Sequence, residues 1–279
     1  ALKILLVNKY LYRKGGAETY FIKLGEYLKS LGNEVEYFGM ADERNCVENR
    51  VEAYTENIDF HKKSLKHITY PFKIIYSVNA RKQIRKVLSD FKPDVVHLNN
   101  FNYQLTPSII YEIKKHNIPI VYTAHDVQLV CPNHKLKNDY TDGLCRKCDG
   151  GKYFECVKNN CVHSSKIRSI LGAVEAWYYK LRHTYKMIDL TVCPSEFMEK
   201  EISRNDDING RTVTMYNFID EIKPLGAECE NYVLYFGRYS EEKGISNLVK
   251  ATKKLSNIPF VFAGKGELEN EVNSADNIK

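Results

Sequence analysis

No run among the 279 residues approaches the roughly 18 consecutive apolar positions that a membrane-crossing helix requires. The opening Ala1-Leu2-Lys3-Ile4-Leu5-Leu6-Val7 is too short for the hydrophobic part of a secretory leader, and no cleavage site follows it. The expected location is therefore the cytoplasm, where thiols stay reduced. Also missing is any Gly-x-Gly-x-x-Gly after the first apolar run, and the second run ends at Phe38-Gly39 without an acidic residue, which disfavours NAD. Nothing in the composition suggests disorder, collagen or low complexity: 43% of residues are hydrophobic and 27% charged. The length exceeds what one core usually serves, so two domains, or one large α/β domain with an insertion, are expected. The balance of 41 Lys and Arg against 35 Asp and Glu gives +6, which suits anionic substrates or a membrane surface without requiring nucleic acid.

What is present is alternation. Short β-branched or aliphatic runs at Lys3 to Val7, Glu34 to Phe38, Asp94 to Leu98, Ile118 to Thr123, Leu190 to Cys193 and Thr212 to Met215 read as buried parallel strands. Between them lie amphipathic stretches. Glu18 to Leu31 places Phe21, Leu24, Leu28 and Leu31 on one face and closes at Gly32. Ile167 to Met187, with Trp177, Tyr178 and Tyr179, reads as a long core-packing helix rather than a membrane element. Such βα repetition predicts a doubly wound parallel sheet. After Asn217 the pattern restarts, with a strand at Tyr232 to Phe236, a helix from Ile245 to Leu255 and a strand at Pro259 to Ala263. About 60 residues follow Asn217, fewer than the roughly 100 of a full doubly wound domain, so this second unit reads as cut short.

Two loops carry the candidate chemistry. After the first strand, Gly15-Gly16-Ala17-Glu18 directly precedes a helix; paired glycines there let backbone N–H groups approach an anion, or simply make a tight turn. After the Tyr232 strand, Gly237-Arg238-Tyr239-Ser240-Glu241-Glu242-Lys243-Gly244 offers a forked and a point cation suited to a diphosphate. The alternative is a solvated Arg238 with Lys243 paired to Glu241 or Glu242.

With Pro93-Asp94-Val95-Val96-His97, Thr123-Ala124-His125-Asp126, Cys193-Pro194-Ser195-Glu196-Phe197, Asn217-Phe218-Ile219-Asp220 and Gly264-Lys265-Gly266, these motifs stand in an order that resembles the retaining glycosyltransferases of the GT-B fold, in the large family four. The resemblance runs from Leu2 to about Leu268. It implies an α/β protein with two Rossmann-like domains: an N-terminal acceptor-side domain over 1–216 and a partial nucleotide-sugar-binding domain over 217–279. It further implies transfer of a sugar from a nucleotide-sugar to a saccharide or lipid-linked acceptor with retention, in a cleft between the domains. By the same resemblance His125, Arg238 and Lys243 are the catalytic candidates, and Gly15, Gly16, Glu18, Arg238 and Lys243 the donor-binding ones. No catalytic metal is expected, because a fixed Arg, Lys and helix start can stabilise the departing diphosphate. The acidic pair that the family places later in its second domain does not occur before Lys279, and little activity is expected of this chain alone.

Five of the eight cysteines, Cys131, Cys145, Cys148, Cys156 and Cys161, fall in one segment over about 131–163. Cys145-x2-Cys148-x7-Cys156-x4-Cys161 supplies four thiolates at spacings suited to a closed structural zinc site, with Cys131, His134 and His163 in reserve. Reduced cysteines packing a polar loop are the alternative, and few other apolar residues between Lys135 and Asn160 are available to build a core. Between His61 and Ser89 stand Lys62, Lys63, Lys66, Lys73, Arg81, Lys82, Arg85 and Lys86 with no Asp or Glu. This region reads either as a basic amphipathic contact with an anionic membrane, which would place the chain peripherally at its inner face, or as a helix packing its apolar side on the sheet. A sugar-nucleotide epimerase of the same architecture, or a non-catalytic zinc-knuckle binding module, are the competing functions. Surface polysaccharide biosynthesis is the expected pathway, and no nucleic-acid partner is expected.

Overall fold

A computed structural model of the chain describes residues 1–57, 70–138, 143–219, 221, 226 and 230–279. They form two compact units, Ala1–Phe218 and Ile219–Lys279.

In the first unit the six apolar runs pair as one parallel sheet: β1 (Lys3–Val7), β2 (Glu34–Phe38), β3 (Val95–Leu98), β4 (Ile120–Thr123), β5 (Leu190–Cys193) and β6 (Thr212–Thr214), in the spatial order β2-β1-β3-β4-β5-β6. The central strands are continuous in apolar character because helices cover both faces. Leu5, Leu6, Val7, Val96, Leu98 and Ile120 are fully buried. The edge differs: β6 is only half-buried, and Met215, read as part of a buried strand, lies beyond it and is 58% exposed. An edge strand has a neighbour on one side only, so it cannot be enclosed as the centre is.

Helix α1 (Gly16–Ser30) starts two residues before the predicted Glu18 and buries Phe21 and Ile22. Leu31, expected on its apolar face, instead follows the last turn and is 59% exposed, while Gly32 takes the left-handed conformation (φ +82°) that ends the helix. The basic region resolves into α2 (Tyr70–Ile75) and α3 (Val78–Phe91). Helix α3 packs Ala80, Ile84, Val87, Leu88 and Phe91 into the core, and Arg81 and Arg85 both donate to the buried carboxylate of Glu112 on α4 (Ser108–Lys115), at 2.9 and 2.6 Å. These two cations thus serve an internal ion pair. Lys62, Lys63 and Lys66 lie outside the described residues.

The predicted Ile167 to Met187 helix is α6 (Lys166–Leu181) followed by a 3-10 turn at Thr184–Met187. It is less enclosed than expected: Ser169, Ala173 and Tyr179 are buried, whereas Ile167 and Leu181 are 73% and 80% exposed. The cysteine-rich segment, with the short α5 (Phe154–Lys158), borrows the core it lacks. Leu136 and Cys131 join the main hydrophobic cluster, Trp177 Nε1 donates to Gly151 O at 2.9 Å, and Arg146 Nε donates to the buried Glu201 of α7 (Glu196–Ile202) at 3.1 Å. No helix among the described residues is long and apolar enough to cross a membrane.

The second unit pairs β7 (Val233–Phe236) in parallel with β8 (Phe260–Ala263), joined by α8 (Ile245–Lys254) and followed by α9 (Glu269–Val272). Its core is Tyr239, Ile245, Val249, Phe260, Phe262 and Val272.

Candidate active site

Strand β1 continues to β2 on one side and pairs with β3 on the other, so the order of the sheet reverses between β1 and β3, where open α/β sheets accept ligands at their carboxyl ends. The crossing is held by Asn99 N–H donating to Val7 O at 2.8 Å, Lys9 N–H to Asn100 O at 2.7 Å and Asn100 N–H to the Asn8 Oδ1 at 3.0 Å.

At this edge α1 begins. Gly15 is extended and no side chain caps the helix, which leaves the first N–H groups free of side-chain acceptors. A Cβ on Gly16 would meet nothing within 4 Å, so its glycine is not demanded by packing; it leaves the helix start open to an incoming anion. Glu18, buried in the first turn, turns toward Gly15, where an added Cβ would lie 3.4 Å from its Oε2.

His125, two residues past β4, sits against this edge. Its Nε2 lies 2.9 Å from Asn99 Oδ1, and its ring meets that of Tyr20 on α1 edge to face at 5.3 Å. Burial lowers His125 to about 4, against a small opposing pull from Asp126, so the imidazole is neutral at physiological pH. The amide nitrogen of Asn99 is buried without a partner among the described residues, an orphaned donor in a candidate ligand site. Phe218, from the Asn217-Phe218 motif, sets its ring 5.2 Å from that of Tyr20, tilted by 47°. His97, from the Pro93 to His97 motif, bonds through Nε2 to Thr123 Oγ1 at 2.7 Å and is likewise lowered to about 4 by burial.

A second group lies beside it; the sequence reading names Asp126 in a motif and His134 as a reserve metal ligand but does not bring them together with Lys9, Asn102 and Glu175. Lys9 donates to Asn102 Oδ1 at 2.8 Å, with Tyr10 and Tyr103 rings each 5.0 Å from its Nζ, and burial lowers it to about 8. His134 Nδ1 stands 3.4 Å from Asp126 Oδ2 and 3.4 Å from Asn102 Nδ2, with Tyr103 stacked on its ring. Burial alone would raise Asp126; the hydrogen bond and charge of His134, the Gln128 N–H and Lys9 outweigh it and hold the carboxyl below its ordinary value. Glu175, lining a small cavity with His134 and Gln128, is raised by burial to about 7. The available signal was positional: Lys9, Asn102 and Asp126 each follow closely on the carboxyl end of a strand.

In the second unit the Gly237 loop crosses the Gly264 loop backbone to backbone. Gly237 N–H donates to Ala263 O at 3.0 Å and Tyr239 N–H to Lys265 O at 2.9 Å. A Cβ on Gly264 would fall 1.9 Å from Gly237 O, and one on Gly266 would fall 2.2 Å from Tyr239 O, which explains both glycines. Arg238 forms an ion pair with Glu242, and both side chains remain at least half exposed. Lys243 is exposed and makes no ion pair among the described residues. The alternative reading pairs Lys243 with a neighbouring glutamate and leaves Arg238 solvated; the ion pair to Glu242 is instead made by Arg238.

The four cysteines assigned to zinc lie with Cys131 around one cavity. Among the described residues no group of three or more His, Cys, Asp or Glu side chains already stands at metal-holding geometry.

The sequence profile of Glycosyltransferase Family 4 matches residues 14–222. A protein of Klebsiella pneumoniae, described as an uncharacterized 42.6 kDa protein in the cps region, is 25% identical over 280 residues, covering 95% of this chain and 68% of its own. Anabaena HepE in complex with UDP and glucose is 15% identical with a TM-score of 0.57, over 100% of this chain and 68% of that one. S. aureus TarM, solved with Fondaparinux, alpha-GlcNAc-glycerol and UDP, is 11% identical with a TM-score of 0.56, over 98% and 74%. The lipopolysaccharide outer core galactosyltransferase WaaB gives 12% and 0.54, over 100% and 67%. The α/β fold, with its parallel sheet, is that of the GT-B glycosyltransferases.

Proposed function

This chain belongs to Glycosyltransferase Family 4, and from that premise we propose that it transfers a sugar from a nucleotide-sugar to a saccharide or lipid-linked acceptor, with retention of anomeric configuration. The observation that carries this reading is the uncapped start of α1 beside neutral His125, at the point where the sheet order reverses. Negative charge accumulates on the diphosphate as the sugar departs, and N–H groups held rigidly in place stabilise it without reorganisation. Gly15 and Gly16 supply those groups; Glu18 sets the first turn. His125, uncharged, offers a polar contact to the sugar without adding a cation that would repel an oxocarbenium-like centre. For the second unit, taken by itself, the proposal is that Arg238 and Lys243 bind phosphate oxygens, Arg238 exchanging Glu242 for them. The proposed pathway is surface polysaccharide biosynthesis, in keeping with the similarity to the lipopolysaccharide outer core galactosyltransferase WaaB and to a protein from a cps region.

The test is a melting screen of the protein against UDP-, GDP- and ADP-sugars, since a ligand that binds the folded state alone raises the melting temperature by mass action. One nucleotide series should raise it and the others should not. Transfer to an added saccharide, rather than release of an epimer without acceptor, then separates transferase from epimerase. No shift with any donor would overturn the reading.

A further inference from the structure

The cysteine-rich segment holds a site that the proposed transfer reaction does not use. Cys131, Cys145, Cys148, Cys156 and Cys161 line one cavity of about 10 Å³, room for a single water-sized body, and none is in a disulfide. The spacing of the sequence had put Cys145, Cys148, Cys156 and Cys161 together and left Cys131 in reserve. Folding brings Cys131 in, because it ends the turn after β4 in which its N–H donates to Val127 O at 3.0 Å, and it is 9% exposed.

We propose that four of these five cysteines, Cys131 among them, form a structural zinc site. Five soft sulfurs suit a tetrahedral thiolate site, the one carboxylate on the cavity, Asp149, being paired with Arg204, and four occupied positions leave none for a substrate or water. The thiols line the cavity but, as placed, no three of them among the described residues form a group that could hold an ion. An ion would draw four of them to the roughly 2.3 Å of a Zn–S bond, each giving up its proton to solvent. Support for the ligands is already in place: the Asn138 amide donates to Cys145 Sγ at 3.3 Å, as the N–H groups around bound thiolates do. The ion would also bind two parts of the chain together. Cys131 follows His125 and Asp126 closely, and its carbonyl accepts from His134 N–H at 2.9 Å, so the site would clamp the turn that carries the Asp126–His134 pair to the distant 145–161 segment.

Elemental analysis of protein purified without added metal or chelator should read about one zinc per chain. Cys131→Ser should abolish it, as should three of Cys145→Ser, Cys148→Ser, Cys156→Ser and Cys161→Ser, while Cys46→Ser and Cys193→Ser leave it unchanged. Where a variant fails to fold, the parent answers instead: chelator should release zinc in proportion to four newly reactive thiols, and cobalt in its place should show sulfur-to-metal charge-transfer absorption. Normal zinc in Cys131→Ser would overturn the assignment of Cys131. Folded parent without zinc, stoichiometric iron or copper in its place, or cysteines already oxidised by mass in the freshly purified protein would overturn the site altogether. None of these readouts depends on sugar transfer, so the site and the transferase reading can fail separately.

Discussion

His125 Nε2 lies 2.9 Å from Asn99 Oδ1, so the amide oxygen of a residue at the end of β3 holds the proton of an imidazole at the end of β4. Nδ1 then carries the lone pair. Burial keeps the ring neutral well below physiological pH. His125→Ala should lower turnover by about 100-fold, the size of one polar group acting at a reacting centre, while nucleoside diphosphate binding changes less than threefold. Asn99→Ala should lower turnover in the same direction but less, since the ring remains. Steady-state kinetics with parallel calorimetric titration of the diphosphate separates the two; loss of binding equal to loss of turnover would assign His125 to anchoring alone.

Arg238 is exposed and paired with Glu242, so its removal should leave the fold intact. Hydrogen bonds to charged groups contribute about 1.5–3 kcal/mol. Arg238→Ala should therefore weaken diphosphate binding by roughly 10- to 100-fold with an unchanged melting temperature in the absence of ligand. Glu242→Gln, which frees the guanidinium, should tighten binding or leave it unchanged.

Gly264→Ala should behave differently, because the backbone carbonyl of Gly237 stands 1.9 Å from the position of the new Cβ. Backbone must move. A loss of about 1–3 kcal/mol in denaturant unfolding is expected, as for overpacking elsewhere, together with weaker diphosphate binding because the Arg238 loop shifts with it. Full stability and full binding in this variant would show that the two loops do not depend on each other.

Glu112 accepts from Arg81 and Arg85, and those hydrogen bonds, opposed by burial, hold it at about 2 against an ordinary 4.5. A carboxyl whose folded value is depressed contributes stability above pH 4.5 and loses it as pH falls toward 2. Glu112→Gln should cost about 1–3 kcal/mol at pH 7, and less than half of that at pH 3. Urea denaturation at both pH values measures it.

Glu175 has the opposite sign. Its folded value, about 7 against an ordinary 4.5, means that ionisation is resisted by the fold, so stability falls as pH rises from 4.5 through 7. Glu175→Gln should be more stable than the parent by about 1–3 kcal/mol at pH 8 and no more stable at pH 4. A pH-independent difference between the two would show that Glu175 is not the titrating group.

Much of this molecule was legible from the order of its residues. Apolar runs of strand length alternating with amphipathic segments determined a parallel α/β sheet, because only helices on both faces can cover strands such as Leu5-Leu6-Val7. Motif order carried the family, and the placement of Gly15 and Gly16 after a strand and before a helix marked a candidate anion site, with a tight turn as the alternative. Contacts between residues far apart in the chain were not legible. Nothing near Asn99 announces that its amide will meet His125, 26 residues on. Nor does spacing reveal that Arg81 and Arg85 turn inward to Glu112 while Ile167 and Leu181 stay exposed, since periodicity defines a helix's faces but not which neighbour covers them. The cysteines make the same point. Four spaced thiols suggested a ligand set by themselves, yet it was the turn after β4, packed into the core through Leu136 and Cys131, that brought the fifth beside them. Local sequence chooses the elements and their chemistry; the packing of distant elements, driven by burial of apolar surface, chooses which of those groups meet.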